Sequence, residues 1–429
     1  MLRLSRLVLL LLVTLVLAAF VPGLYRKGFE RRRDRLFILY SAPAGRFFYR
    51  KTDRFNRVTY HDEAGNTYER TAYEKQLPFF YYRDLAKWGE LPEVVCDLPV
   101  TVEEIRYETQ VLRINPDDLH TPQIQLWPLF ESESPFARLE YPDRMFRITE
   151  RMEFLDAAAN EVLEEPSRAF TDALRGKGFL FPARLIAGNP TDRKPFDEGY
   201  FVVDAAGRLF HLKMVKGRPW VEDTGIAPPS GIRFIQVREH PRREFYGWML
   251  TGDGKVHLIT YRNYALKTLP IDGYDPDRMR LQMLTDPLHR TLTYYDPDED
   301  VIHARVTDLT YRKVHGADFT VGSGGGGLAD TAAEVLFPFR IETSSRKTDY
   351  VLLDLRPGGL PALGGVALSL AALWWIRRRR RTPPSSGIAD WIVTALAGPF
   401  GLAAVLAVGP EPRRDGKAAE RTGAPPAAS

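Results

Sequence analysis

Three long stretches of the chain carry no charge. Residues 7–25 read LVLLLLVTLVLAAFVPGLY, residues 360–376 LPALGGVALSLAALWWI, and residues 391–408 WIVTALAGPFGLAAVLAV. At about 1.5 Å per helical residue, the first nearly spans the roughly 30 Å of a bilayer's hydrocarbon. Arg3 and Arg6 precede it, so it reads as a cleaved signal peptide or an uncleaved anchor. Leu17-Ala18-Ala19 is a poor cleavage site and the apolar run continues past it, which favours the anchor. The second stretch ends in Trp374 and Trp375, where amphipathic rings prefer an interface. Arg377, Arg378, Arg379, Arg380 and Arg381 follow, and beside a membrane they fix topology and bind anionic lipid. The third is interrupted by Pro399 and Gly401, which membrane helices tolerate. The pattern predicts three transmembrane helices, with a basic cytoplasmic loop at 377–390 and a disordered tail at 410–429.

Between the first two stretches the pattern changes to short apolar runs broken by turn residues. Segments 200–212 (YFVVDAAGRLFHL), 246–258 (YGWMLTGDGKVHL) and 292–304 (LTYYDPDEDVIHA) each join two runs through Asp, Gly or Pro and end on or near a histidine. His211, His257 and His303 fall 46 positions apart. Residues 154–162 and 60–68 have the same turn form, about one and three periods upstream, and 341–353 has its turn near Lys347, about one period on. Alternation with Asp/Gly turns predicts hairpins, and a period of about 47 suits a four-stranded propeller blade. The expected fold is mainly β with helical decorations, a propeller-like repeat over 36–356 holding six or seven units. A β-sandwich or barrel is the alternative. Residues 73–91 and 167–175 look helical, and Thr101-Val-Glu-Glu104 resembles a capping box.

Composition removes several function classes. Of 429 residues, 44% are hydrophobic and 27% charged, which excludes general disorder. Net charge is only +4, so the chain has no nucleic-acid binder's basic bias. The single cysteine, Cys96, excludes an intramolecular disulfide and any Cys-rich metal site. His211, His257 and His303 could hold a metal only if they lined a common axis; hydrogen-bonded strand histidines are the commoner case. Residues 322–327 (GSGGGG) match G-x-G-x-x-G, but no βαβ unit surrounds them and a linker fits better. The acidic turn 296–300 lacks a calcium loop's spacing. No phosphate-binding loop, G-x-S-x-G elbow or H-E-x-x-H occurs, and no nucleotide or cofactor is expected. The Pro-rich stretch 189–198 (NPTDRKPFDE) offers Asn189, Asp192, Arg193, Lys194 and Asp197 as partner-binding candidates.

Residues 77–85 (LPFFYYRDL), 127–131 (WPLFE), 146–149 (FRIT) and above all 178–212 together resemble a family of uncharacterised bacterial membrane-anchored proteins built on a domain of unknown function. The resemblance implies an association with ABC-type export systems and no reaction. The expected function is therefore binding or tethering: a non-enzymatic accessory in the bacterial inner membrane, touching lipid and a membrane protein such as a transporter permease. Its large domain would face the exterior. An envelope hydrolase using an unidentified carboxylate pair is the alternative. With the N-terminus inside, Arg3, Arg6 and the five-arginine block are cytoplasmic. Arg26, Lys27, Arg31, Arg32, Arg33, Arg35, Arg413, Arg414 and Lys417 then lie outside, and the plain count opposes this orientation. The short loop holding the five arginines and the export-like N-terminus favour it.

Overall fold

The computed structural model describes residues 2–29, 34–53, 55–121, 123–296, 300–321, 328–344, 352–379 and 387–409. The turn near Lys347, the Gly-rich run, Asp298 and Glu299 of the acidic turn, Arg31 to Arg33 and the tail fall outside these. The chain forms two compact units, 33–323 and the pair 1–32 with 324–429. Helix α1 (Leu2–Phe29) belongs to the latter.

Unit 33–323 is built on five antiparallel sheets, in each of which four consecutive strands form a meander, with one two-stranded hairpin besides. The first holds β1 (Arg35–Ser41), β2 (Arg46–Thr52), β3 (Val58–Asp62) and β4 (Thr67–Tyr68). An insert follows: α2 (Arg70–Lys75), α3 (Tyr82–Trp88), the small hairpin β5 (Val94–Val95) and β6 (Leu98–Pro99), α4 (Val102–Glu108), β7 (Val111–Ile114) and α5 (Pro116–His120). The second sheet holds β8 (Trp127–Pro128), β9 (Arg144–Ile148), β10 (Met152–Asp156) and β11 (Val162–Leu163), and α6 (Glu164–Gly176) follows it. The third holds β12 (Leu185–Gly188), β13 (Tyr200–Val203), β14 (Leu209–Val215) and β15 (Arg218–Ile226). The fourth holds β16 (Ile232–Val237), β17 (Phe245–Thr251), β18 (Val256–Thr260) and β19 (Leu266–Thr268). The fifth holds β20 (Arg280–Thr285), β21 (Arg290–Asp296), β22 (Val301–Thr307) and β23 (Lys313–Thr320), and β7 joins it beside β20.

Burial on both faces explains the unbroken apolar runs. In β13, Tyr200 and Val202 enter a core shared with the second sheet, where they meet Phe146 and Phe154. Phe201 and Val203 enter another, shared with Ile235 and Met249 of the fourth sheet. A strand covered on both sides cannot keep polar residues at every second position. The fourth and fifth sheets share Trp248, Leu258, Leu281 and Tyr294. The fifth meets the first through Ala304, Val306, Ile38 and Phe47. The fifth sheet of this unit thus packs on its first.

Two expectations are corrected here. Among the described residues the sheets of four or more strands number five, not six or seven, and none closes into a barrel. The turn at 200–212 joins the second and third strands of its sheet, as do those at 246–258 and 292–304. The turns at 154–162 and 60–68 join the third and fourth. Those two share a form with the later turns but not a place, because α6 lengthens the step between the second and third sheets. Helix α6 also does part of a strand's work. Its buried Ser167 and Thr171 accept hydrogen bonds from Phe154 N (2.9 Å) and Met152 N (3.1 Å) of β10. The two-residue β11 leaves that edge largely open, and an unpaired buried N–H is costly. Thr101 and Glu104 form the expected capping box at the start of α4.

The other unit combines α1 with α7 (Leu328–Leu336), the hairpin β24 (Phe339–Ser344) and β25 (Leu352–Pro357), α8 (Ala362–Arg379) and α9 (Ile388–Val408). Among the described residues two helices, not three, are long and apolar enough to cross a membrane: Leu4–Phe29 and Ile388–Val408. The expected third, 360–376, yields 15 helical residues before Arg377, about 22 Å at 1.5 Å each. Its helix starts only at Ala362, after Pro361, and ends in arginines.

Candidate functional site

In each sheet a loop leads from the first strand to the second, and four of these loops are linked by polar contacts. The loop 189–199 after β12 holds the densest set. Lys194 Nζ donates to Asn189 O (2.7 Å), Asp197 Oδ1 (2.6 Å) and Glu239 Oε1 (3.0 Å). Its side chain is 3% exposed, and those of Asp197 and Glu239 are fully buried. All three N–H donors of the lysine are used. It also lies 4.8 Å from the centroid of the Phe130 ring. Asp197 Oδ2 accepts from Ser132 Oγ (2.8 Å), on the loop after β8, and from Gly199 N (2.9 Å). Glu239, on the loop after β16, accepts from Asn189 Nδ2 (2.7 Å). Gly199 is required here: its φ is +66°, and a Cβ would lie 2.1 Å from Leu212 O.

Beside this cluster Glu198 pairs with Lys213 of β14, and Arg243 Nη2 approaches it to 4.0 Å. Its backbone carbonyl accepts a hydrogen bond from His211 Nε2 (2.6 Å). A carbonyl only accepts, so Nε2 carries the proton and Nδ1 accepts from Tyr264 OH at 2.9 Å. His211 stacks on Phe201 with ring centroids 4.4 Å apart. Burial, helped by the Lys213 charge, pushes its pKa down to about 3. Tyr246 stacks on Tyr261 and Tyr264, and burial raises all three phenols above the ordinary range.

A second cluster continues from the loop 238–244. Arg242 Nη1 donates to Glu108 O (2.8 Å) and Glu108 Oε2 (3.0 Å), and its Nη2 lies 2.7 Å from Glu244 Oε2. Glu244 also accepts from Arg290 Nη2 (2.8 Å) and from the Tyr311 hydroxyl. Arg290 Nη1 reaches back to Asp286 O (2.6 Å) in the turn after β20. The Asp286 carboxylate is wholly buried. Its Oδ1 accepts from Leu288 N and His289 N, both at 2.8 Å, and its Oδ2 has no partner. Burial raises its pKa to about 6, against the opposing pull of those amides, Arg290 and Arg242.

The sequence candidates therefore separate. Asn189, Lys194 and Asp197 converge inside the first cluster, while Asp192 and Arg193 stay on the surface. The three histidines occupy matching places on β14, β18 and β22 but face different partners. His257 contacts Thr268 Oγ1 (3.0 Å) and Thr251 Oγ1 (3.4 Å), and His303 contacts Asp318 Oδ1 (2.9 Å). Among the described residues no group of three or more His, Cys, Asp or Glu is placed to hold a metal. Arg377, at the end of α8, pairs with Asp390 at 2.6 Å. The sequence reading missed Glu239, Arg242, Glu244, Asp286 and Arg290. The signal was there: Glu198, Glu244 and Arg290 stand 46 positions apart, the same step as the histidines.

The exposed rim of these loops is aromatic and basic. Arg243 is half exposed and lies 4.2 Å from the Phe196 ring centroid. Phe136 and Tyr141, from the loop after β8, are 61% and 52% exposed. The arrangement immobilises loops from inside and offers ring faces and charges outside.

Residues 37–304 match the sequence profile of a family described as a domain of unknown function, DUF4857, and the chain belongs to that family. The match begins in β1 and ends in β22, so it takes in both polar clusters except Tyr311. No curated protein matches the chain.

Proposed function

We propose that this member of the DUF4857 family is a membrane-anchored, non-enzymatic protein whose five-sheet domain binds and tethers a membrane-protein partner, such as the permease of an ABC-type transporter. The observation that carries the reading is the buried Lys194–Asp197–Glu239 cluster under an exposed rim of Asp192, Arg193, Arg243, Phe136 and Tyr141. Arg and aromatic side chains dominate binding hot spots, and holding their loops beforehand lowers the entropy lost on association. Shared cores join the second sheet to the third, the third to the fourth, the fourth to the fifth and the fifth to the first, and this succession supports a propeller-like arrangement. The two long apolar helices, one near the N-terminus, support a membrane anchor, which in this reading sits in a bacterial inner membrane with the domain outside. Mild-detergent purification should recover one membrane partner repeatedly from wild type, and R193E/F136A, at two exposed rim positions, should lose it while keeping the wild-type melting temperature. A clean monomer from wild type would overturn the reading.

An envelope hydrolase is the second reading, and Asp286 favours it: a buried acid with a raised pKa and a free oxygen has the traits of a general acid. Such chemistry needs a second carboxylate about 5–9 Å away. The charged groups acting most on Asp286 are Arg290 and Arg242. Turnover of a glycan or lipid that D286N abolishes would establish this reading.

A further inference from the structure

Asp390, near the start of α9, is buried between arginines of two other helices. Its Oδ1 accepts from Arg6 Nη1 of α1 (2.8 Å) and its Oδ2 from Arg377 Nη2 of α8 (2.6 Å). The second terminal nitrogen of Arg6, Nη2, donates to Gly409 O at 2.7 Å, just past the end of α9. A straight helix would hold residues 390 and 409 about 28 Å apart, and one guanidinium could not reach both. α9 is not straight. Gly398, at φ 51° and ψ −126°, breaks it into 388–397 and 399–408. A Cβ on Gly401 would lie 2.4 Å from Val393 O, although positions eight apart on a straight helix are about 12 Å apart. The halves lie back to back.

We infer that α9 does not cross the bilayer but is a re-entrant hairpin: it enters one leaflet at the Arg6 end, turns at Gly398 and leaves at the same end, with lipid against its outer face. This rests on the membrane-anchoring reading. Each half has ten residues, about 15 Å, half the hydrocarbon thickness. Ile392, Leu396 and Leu406 are exposed, as lipid-facing positions should be. Ala397, Gly401 and Ala404 are buried, and such small residues let helices approach closely. Non-helical backbone is tolerated at membrane depth only where protein covers it. A Cβ built on Gly398 would meet Val366 Cγ2 at 3.1 Å and Pro338 Cγ at 3.3 Å, and Phe337 stacks on Phe400 beside it. At the other end the exposed Trp374 and Trp375 suit an interface.

The hairpin also settles the charge conflict. The start of α1, the end of α8 and both ends of α9 converge on Asp390. Arg3, Arg6, the block from Arg377 to Arg381, Arg413, Arg414 and Lys417 then share one side. Arg26, Lys27, Arg31, Arg32, Arg33 and Arg35 take the other. Over the same residues the balance becomes ten against six, which places the Asp390 end in the cytoplasm.

The test is side-specific labelling of the full-length chain with a membrane-impermeant maleimide, in right-side-out and inverted vesicles. Ser385→Cys and Ala418→Cys, each in a Cys96→Ser background, flank α9; the exposed Cys96 of wild type reports the large domain. The expected result is labelling of both engineered cysteines in inverted vesicles only, and of Cys96 in right-side-out vesicles only. Labelling of Ala418→Cys from the face opposite Ser385→Cys overturns the hairpin. If those two label together and Cys96 joins them, α9 still returns to its own side, but the crossing by α1 and α8, and with it the export of the domain, is overturned. Release of the chain by alkaline carbonate overturns the anchoring reading and the hairpin with it.

Discussion

Lys194 supplies one positive charge to two buried carboxylates, while backbone, hydroxyl and amide donors serve the remaining oxygens. Removing one partner of such a set is far costlier than never having built it, because the other charges stay desolvated. Lys194→Met should therefore lower stability by about 3–5 kcal/mol. Lys194→Met with Asp197→Asn and Glu239→Gln should recover part of the loss, measured by denaturant midpoints at pH 7.5. A loss below 1 kcal/mol for the single variant would mean the loops are held by something else. Asp286 behaves in the opposite way. Its folded-state pKa is raised to about 6 from 3.8, so the native state binds its proton more tightly than the unfolded chain does. Stability from this group is then full below about pH 4 and is lost as pH rises through 6. Asp286→Asn, which keeps the shape without the charge, should stabilise the protein by about 1–3 kcal/mol at pH 7.5 and change little at pH 4. A stable variant that still binds its partner argues for a structural acid and against a catalytic one.

At the scale of elements, α6 shows what pattern reading can and cannot see. Its amphipathic spacing, with Ser167, Phe170, Thr171 and Leu174 buried on one stripe, makes a helix legible from sequence. That its hydroxyls finish the edge of β10 was not legible, because Ser and Thr on a buried face look like ordinary tolerated polar residues. Ser167→Ala and Thr171→Val should each cost about 1–3 kcal/mol by stranding Phe154 N or Met152 N. Hydrogen exchange at those two amides should accelerate more than elsewhere in β10; uniform acceleration would point to lost packing instead. The hairpins that repeat at 46 residues were readable for the same reason as α6: local turn chemistry recurs with local alternation. The upstream turns misled because one Asp/Asn turn resembles another, and only pairing shows which strands it joins. In α9 the sequence displayed Gly398, Pro399 and Gly401 openly. Pro and Gly signal a break, but the direction of the chain after it depends on Gly401 packing on Val393 across the break and on Arg6, far away in sequence, meeting both ends.

Across the whole molecule, two buried titrating groups pull stability in opposite directions over the same pH range. His211 has a folded-state pKa near 3 against 6.5, so the unfolded chain binds the extra proton and His211 removes stability as pH falls below 6.5. Asp286, between 3.8 and about 6, adds stability as pH falls. Each alone gives a slope of about 1.4 kcal/mol per pH unit where only one state is protonated. From pH 6 to pH 4 the two slopes nearly cancel, so a difference measurement is needed to see either. Relative to wild type, Asp286→Asn should lose stability as pH is lowered across that window. His211→Gln should gain relative stability over the same window, on top of a constant loss from the broken stack on Phe201. Thermal melts of the three proteins at half-unit steps read this directly, because carboxylates elsewhere titrate alike in all of them. Parallel curves would mean that the buried histidine and the buried acid are both reached by water, and that the domain opens on the side of its linked loops.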